Sequence, residues 1–220
     1  MKLADLKKQY DIMQMEFGAP GLRSVYYGGC DVDPDICFVF MNPTVKNVAA
    51  EPSWTGIRSP WIGTKHIWDV FFETGLFGEA VYRQIKGKKA IEWTPEFASQ
   101  VYQDVAEHGI FITNLAKCTQ EDARPIANKV YRKYLPLLEK EIEIIHPKTI
   151  VLFGNQVSSV FLGRTVSVSK CRKEKFEKII NGKKYDCFPV FYPVGNGRCH
   201  IRESIEDMKW IIEWIKTEHR

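Results

Sequence analysis

Amide and glycine residues follow four apolar stretches of the chain. Asn42 comes directly after CFVFM (37–41), and Asn114 comes directly after IFIT (110–113). The other two stretches are followed by Gly154-Asn155-Gln156 and by the segment from Pro193 to Arg198. Because ligands of open α/β sheets bind at the carboxyl ends of the strands, these four positions predict one binding cleft. Asn and Gly are also favourable turn residues, so turn chemistry alone is the alternative.

Aromatic and glycine-rich segments indicate what the cleft would bind. The loop EPSWTGIRSPWIG (51–63) carries two tryptophans. A flat ring beside amide groups suits a nucleobase, which stacks on the ring and forms hydrogen bonds along its edge; a tryptophan that only fills the core is the alternative. The glycines of GTK (63–65) and GNQ (154–156) lead into predicted helices, whose first N–H groups can bind phosphate. These segments together predict a site for a base and its phosphates.

The elements that must position these residues follow from periodicity and punctuation. Helical spacing or capping residues predict helices at 3–17, 63–75, 94–109, within 126–145, after Gly154 and at 203–217. Apolar runs predict strands at 37–41, 110–113, 149–153 and 188–192, and Asn-Gly predicts a hairpin at 178–187. Strands that alternate with helices predict a mostly parallel sheet covered on both faces. We therefore expect one α/β domain over 1–220, with a leading helix in 1–24 and a closing helix in 203–220.

Single residues refine the ends of these elements. Thr64 and Thr94 are predicted N-caps, and Pro95 suits the first position of a helix. Pro136 predicts a kink or a late helix start. Pro189 predicts an early or edge position in its strand.

Composition narrows the class of protein. The chain has 220 residues, 45% hydrophobic content and a net charge of +4. It has no apolar run long enough to span a bilayer, and its charged start is unlike a signal peptide, so we expect a soluble, cytoplasmic monomer. The six cysteines contain no C-x-x-C pair, which predicts free thiols and no metal site. The basic run 169–184 is either a solvated hairpin face or a contact for nucleic-acid phosphates.

These segments resemble the uracil-DNA glycosylase superfamily. FMNPT (40–44) is similar to the family's first motif in its mismatch-specific and single-strand-selective branches. TGIRSPW followed by GTKHIWDVFFETGLF is similar to the loop and helix after that motif. ITNLAKCT (112–119) and LLEKEIEIIHPKTIVLFGNQV (137–157) resemble the thermophilic iron–sulfur branch. The resemblance covers roughly 25–200, in order, and implies a three-layer α/β/α sandwich around a four-stranded, mostly parallel sheet.

The resemblance also implies roles for individual residues. Asn42 would hold or polarise the attacking water, Trp61 would stack on a flipped base, and Asn114 would bind the edge of a uracil-like base. The remaining expected substrate-binding residues are Met41, Pro43, Tyr192 and Asn196. The expected DNA-binding residues are Thr64, Lys65, Gly154, Asn155, Gly197 and Arg198. Of the five histidines, His66 and His200 could reach the cleft, and His200 is the second candidate catalytic residue.

The chain departs from the family pattern in three places. Phe40 and Thr44 stand where the family usually has glycines, which predicts a crowded approach to substrate. The family's second motif, a His-Pro-Ser or Asn-Pro-Ser sequence, is replaced by YPVGNGRCH (192–200). Cys118 matches one ligand of the iron–sulfur branch, but Arg132 to Tyr134 stand where the next cysteine belongs. We therefore expect no cluster and no other cofactor.

The predicted function is hydrolysis of the N-glycosidic bond of uracil or a related deaminated base in DNA, leaving an abasic site. Asn42 can only orient water, which suits a monofunctional glycosylase. Three alternatives stay open at this point: a catalytically silent relative that binds nucleic acid, a hydrolase or transferase for small nucleosides, and a plain α/β domain.

Overall fold

The protein is described here from a computed structural model, which covers residues 2–124 and 126–218 and leaves the side chain of Asn196 undescribed. The helices in these ranges are α1 (Leu3–Phe17), α2 (His66–Glu73), α3 (Glu79–Gly87), α4 (Pro95–Glu107), α5 (Asn128–Ile145), α6 (Asn155–Leu162) and α7 (Ile201–Glu218). The strands are β1 (Tyr27–Gly29), β2 (Ile36–Phe40), β3 (Ile110–Asn114), β4 (Thr149–Phe153), β5 (Phe176–Ile180) and β6 (Lys183–Val190).

The strands form one sheet in the order β1-β3-β2-β4-β6-β5. The inner four strands, β3-β2-β4-β6, pair in parallel, and β1 and β5 add antiparallel edges. The predicted α/β/α fold is therefore confirmed, although the sheet has six strands where four were expected. The inner four correspond to the predicted strands; β6 joins the last of them to the second arm of the predicted hairpin.

The two faces of the sheet pack against different helices. In β2, Phe38 and Phe40 face a core that includes residues of α2, α3, α4 and α7. Cys37 and Val39 face a second core that includes residues of α1, α5 and α6. Successive side chains of a strand point to opposite faces, and β2, β3 and β4 are buried throughout because both faces are covered.

The predicted ends of the elements are largely confirmed. Thr94 caps α4 by accepting a hydrogen bond from the Phe97 N–H, and Pro95 is the first residue of that helix. The Thr64 cap was wrong, because α2 begins at His66 after Lys65 and the Thr64 hydroxyl donates to the Trp61 carbonyl instead.

The two prolines in question lie in different settings. α5 begins at Asn128 and contains Pro136, so of the two predicted alternatives, a kink or a late start, the late start is excluded. Pro189 pairs with Leu152 of β4 and lies past Cys187, the last residue of β6 that pairs with β5. One side of β6 is therefore an edge at Pro189, as predicted. Among the described helices, none combines the length and apolar character that crossing a membrane requires.

Candidate functional site

A cleft of about 690 Å³ opens at the carboxyl ends of β2, β3, β4 and β6. Thirteen of the fourteen residues singled out from the sequence line it: Met41, Asn42, Pro43, Trp61, Thr64, Lys65, Asn114, Gly154, Asn155, Tyr192, Gly197, Arg198 and His200. The predicted contact of the remaining one, Asn196, falls on a side chain outside the described residues. The strand ends thus bring the predicted residues together, although their individual roles stay predictions.

Asn42 is held by two hydrogen bonds of opposite polarity. Its Oδ1 accepts a hydrogen bond of 2.6 Å from the Tyr131 hydroxyl, and its Nδ2 donates to the Pro43 carbonyl at 3.1 Å. Tyr131 is fully buried in α5, and this burial raises the pKa of its phenol well above the usual value. The hydroxyl therefore stays a donor at neutral pH. Sequence analysis missed Tyr131 because helical periodicity marks it only as a core position.

Asn114 ends β3 and is 2% exposed. Its Nδ2 has no hydrogen-bond partner among the described residues, although the side chain lines the cleft. Leaving a buried donor unpaired costs about 1–3 kcal/mol. A ligand with an acceptor, such as the carbonyl oxygen of a base, would satisfy this donor.

A buried ion pair lies behind Asn114. Lys117 Nζ contacts Glu141 Oε2 at 2.9 Å, and both side chains are fully buried. The same ammonium donates to the Asn114 carbonyl at 2.5 Å and to the Thr113 hydroxyl at 2.7 Å. The Tyr10 hydroxyl donates to the other oxygen of Glu141 at 2.9 Å. Burial lowers the pKa of Lys117, and the Glu141 carboxylate opposes that shift. The hydrogen bonds of this network tie the end of β3 to α5 and α1.

Trp61 provides an aromatic wall on a strained backbone. Its φ is 69°, a left-handed conformation that costs a non-glycine residue about 1–3 kcal/mol and clusters at functional sites. Thr64 holds it there, because its N–H and hydroxyl both donate to the Trp61 carbonyl, at 3.1 and 2.8 Å. The Trp61 ring meets Phe40 edge-on at 4.9 Å and lies 6.4 Å from the Tyr192 ring.

Phe40 was expected to crowd the cleft, but it does not line it. Its ring is fully buried, stacks on the Phe153 ring with the centroids 4.2 Å apart, and packs edge-on against the Trp61 ring. Thr44, the other residue at a family glycine position, does line the cleft.

The segment that replaces the family's second motif packs tightly against itself. A Cβ at Gly197 would lie 1.8 Å from the Tyr192 carbonyl oxygen, so only glycine fits there. His200 lies at the end of this segment, with Nδ1 3.4 Å from Glu203 Oε1 and its ring stacked on Phe191 at 4.2 Å. The His200 side chain is 45% exposed and lines the cleft. The imidazole thus reaches the cleft with a carboxylate beside it.

Several residues that were predicted to contact DNA phosphates form hydrogen bonds within the protein. Lys65 Nζ donates to the Lys86 carbonyl at 2.6 Å, which ties the start of α2 to α3. Asn155 Oδ1 accepts from the Val168 N–H at 2.9 Å. Gly154 has a φ of 91°, a conformation that favours glycine, and α6 starts directly after it. The N–H groups at the start of α6 therefore follow directly on a glycine that lines the cleft.

The Uracil DNA glycosylase superfamily model matches residues 27–216. The chain belongs to the uracil-DNA glycosylase superfamily. The match spans all six strands and all the cleft-lining residues, and it confirms the resemblance that the motifs indicated.

The basic run 169–184 lies outside the cleft. None of its residues is among those that line the cleft, and most of its charges form ion pairs within the described part of the chain. The pairs are Arg172 with Glu206 and Asp207, Lys175 with Asp186, Lys178 with Glu139, and Lys184 with Glu177. The geometry therefore favours a solvated hairpin face over a nucleic-acid contact.

Cys118 stands at the position of an iron–sulfur ligand in one branch of the superfamily, but its environment here is different. Cys118 is fully buried, and burial raises the pKa of its thiol. Its neighbour on α5 is Tyr134, which has no ligating sulfur. In the described ranges, no group of three or more His, Cys, Asp or Glu side chains is placed to hold a metal ion. The donor set at this position does not fit such a cluster.

Proposed function

We propose that the protein is a monofunctional DNA glycosylase that hydrolyses the N-glycosidic bond of uracil or a related deaminated base in DNA. The observation that carries this proposal is the unpartnered, buried Asn114 amide, which lines the same cleft as Asn42 and Trp61. Membership of the uracil-DNA glycosylase superfamily supports the reaction class.

The base must leave the duplex before it reaches the cleft. Extrusion costs a few kcal/mol and is easiest for a mispaired base. The Trp61 ring offers a stacking surface, and Asn114 Nδ2 donates to a carbonyl oxygen of the base. As the bond from the base nitrogen to the sugar breaks, its electron pair moves onto the base, so the same hydrogen bond strengthens in the transition state.

Asn42 orients the water that attacks the sugar. A carboxamide has no useful basicity, but Oδ1 keeps a second lone pair that can accept a hydrogen from water. The water oxygen then forms the new bond to C1′ while the base leaves, and its proton passes to solvent or to the departing base. His200, whose Nδ1 lies 3.4 Å from Glu203 Oε1, is the second candidate catalytic residue, as a hydrogen-bond donor to the leaving base or to a nearby phosphate.

Hydrolysis by water distinguishes this proposal from lyase chemistry. Lys46 and Lys65 both line the cleft, and an attacking lysine would form a Schiff base with the sugar. Lys65 Nζ is engaged by the Lys86 carbonyl, which argues against such a role. Borohydride trapping with DNA tests both lysines, and a covalent complex would contradict hydrolysis by water.

A cleavage assay tests the proposal. Labelled oligonucleotides carrying uracil or hypoxanthine, single- and double-stranded, are incubated with protein and treated with alkali; free deoxyuridine and deoxyinosine are tested alongside. The proposal expects an abasic site in at least one oligonucleotide and little release of base from the nucleosides. Efficient cleavage of the nucleosides alone would instead identify a small-nucleoside hydrolase. DNA binding without cleavage would identify a silent relative.

A further inference from the structure

We infer that Tyr131 is a positioning residue: its hydroxyl sets which end of the Asn42 carboxamide faces the cleft. The effect on cleavage rests on the proposed function, whereas the orientation of the amide does not.

The two bonds to Asn42 select one amide orientation out of two. The hydroxyl hydrogen of Tyr131 points to Oδ1 at 2.6 Å, and the carbonyl of Pro43 accepts from Nδ2 at 3.1 Å. Turning the amide by 180° would place Oδ1 against the Pro43 carbonyl, and two acceptors repel. It would also place Nδ2 against the Tyr131 hydroxyl, which would have to give up its donation. Both contacts therefore favour the same orientation.

Tyr131 is suited to this task by its own position. It is fully buried in α5, and it is not among the residues that line the cleft, so a ligand does not have to displace it. Burial raises the pKa of its phenol, and the hydroxyl keeps its single hydrogen throughout the neutral range. Eighty-nine positions separate Tyr131 from Asn42 in the sequence, so α5 carries this constraint to the end of β2 from outside the first motif.

The orientation matters for the nucleophile. With Tyr131 in place, one lone pair of Asn42 Oδ1 is occupied and the other is free, on a side chain that lines the cleft. An acceptor takes a hydrogen of the water and leaves the water's lone pair free to attack. With the amide reversed, the nearest group would be a donor, which would engage that lone pair instead. Tyr131 thus acts on the reaction through Asn42 and makes no contact with the substrate.

The test compares Tyr131→Phe, Asn42→Ala and the double variant with the wild type. Tyr134→Phe is the matched control, because Tyr134 is equally buried in α5 and is not among the cleft-lining residues. We expect Tyr131→Phe to slow single-turnover cleavage about tenfold, the value of one hydrogen bond, with DNA affinity unchanged. We expect no further loss when Tyr131→Phe is added to Asn42→Ala, and less than a twofold change for Tyr134→Phe. Equal losses in both backgrounds would overturn the inference.

A second readout does not need activity. The side-chain amide signals of Asn42 in a ¹H–¹⁵N spectrum are assigned by their absence in Asn42→Ala. Tyr131→Phe should move these two signals, and Tyr134→Phe should leave them in place. If the wild type cleaves none of the substrates but the signals move as expected, the proposed function fails and the positioning inference stands. If Tyr131→Phe leaves the signals unmoved, the inference is wrong whatever the cleavage assay shows.

Discussion

Replacing Asn114 by leucine should make the protein more stable and less active at the same time. Leucine has nearly the shape of asparagine but needs no hydrogen bonds. The wild-type Nδ2 is buried and unpartnered among the described residues, which costs about 1–3 kcal/mol in the absence of ligand. Removing that cost and allowing for imperfect packing leaves a gain of about 1–2 kcal/mol, or a rise in Tm of about 3–6 °C for a chain of this length.

Asn155→Leu is the matched control for this experiment. Asn155 also lines the cleft, but its Oδ1 accepts from the Val168 N–H at 2.9 Å, so its removal leaves that donor without its acceptor. This variant should lose about 1 kcal/mol. Thermal unfolding followed by circular dichroism measures both changes, and the cleavage assay measures activity on the same samples.

The two variants should therefore move Tm in opposite directions. Asn114→Leu should also lower single-turnover cleavage by about 10²-fold or more, as expected when a donor to a developing negative charge is lost. A fall in Tm for Asn114→Leu as large as that for Asn155→Leu would refute the reasoning, because it would mean that the Asn114 amide serves the fold. A rise in Tm with unchanged cleavage would show that the amide does not bind the base.

Three further predictions follow from other parts of the molecule. Lys117→Met should lower the free energy of unfolding by about 3–5 kcal/mol in urea titrations, because it leaves Glu141 buried without its cation; a loss below 1 kcal/mol would contradict the buried ion pair. Gly197→Ala should lower both Tm and cleavage, the latter by about 10²-fold, since a Cβ would displace the segment that carries Tyr192; wild-type Tm and activity would contradict the tight packing. Stability should fall as the pH rises above about 10, where tyrosines ionise in the unfolded chain while the raised pKa values of Tyr131 and Tyr192 keep both neutral in the fold. Below pH 10 these two side chains are neutral in both the folded and the unfolded chain. Thermal melts in which the stability due to these tyrosines is already lost between pH 7 and 9 would contradict their raised pKa values.

The cleft could be located from the sequence because local signals coincide there. An amide or a glycine lies within two residues of the end of β2, β3 and β4, and a glycine-containing segment follows β6. Parallel strands bring such ends to one edge. Asn42 and Asn114 were found in this way. The short edge strand β1 was missed because Tyr27-Gly28-Gly29 has two glycines and no alternating pattern.

The contacts that control these residues could not be read from the sequence. Tyr131 and Lys117 are ordinary members of a helix face and of the segment after β3, and nothing local distinguishes them. Their partners Asn42 and Glu141 lie 89 and 24 positions away, so the pairing exists only once α5 packs on the sheet. Thr64 differs, because its hydroxyl donates to the Trp61 carbonyl only three residues earlier and Lys65 precedes the first residue of α2.

The most direct test of the account is single-turnover cleavage of a uracil-containing oligonucleotide by the wild type, Asn42→Ala and Asn114→Ala, with DNA affinity measured on the same proteins. The account predicts an abasic site with the wild type, losses of at least about 10²-fold with each variant, and DNA affinity within a few-fold of the wild type. Cleavage that persists in both variants would place the chemistry elsewhere and contradict the account.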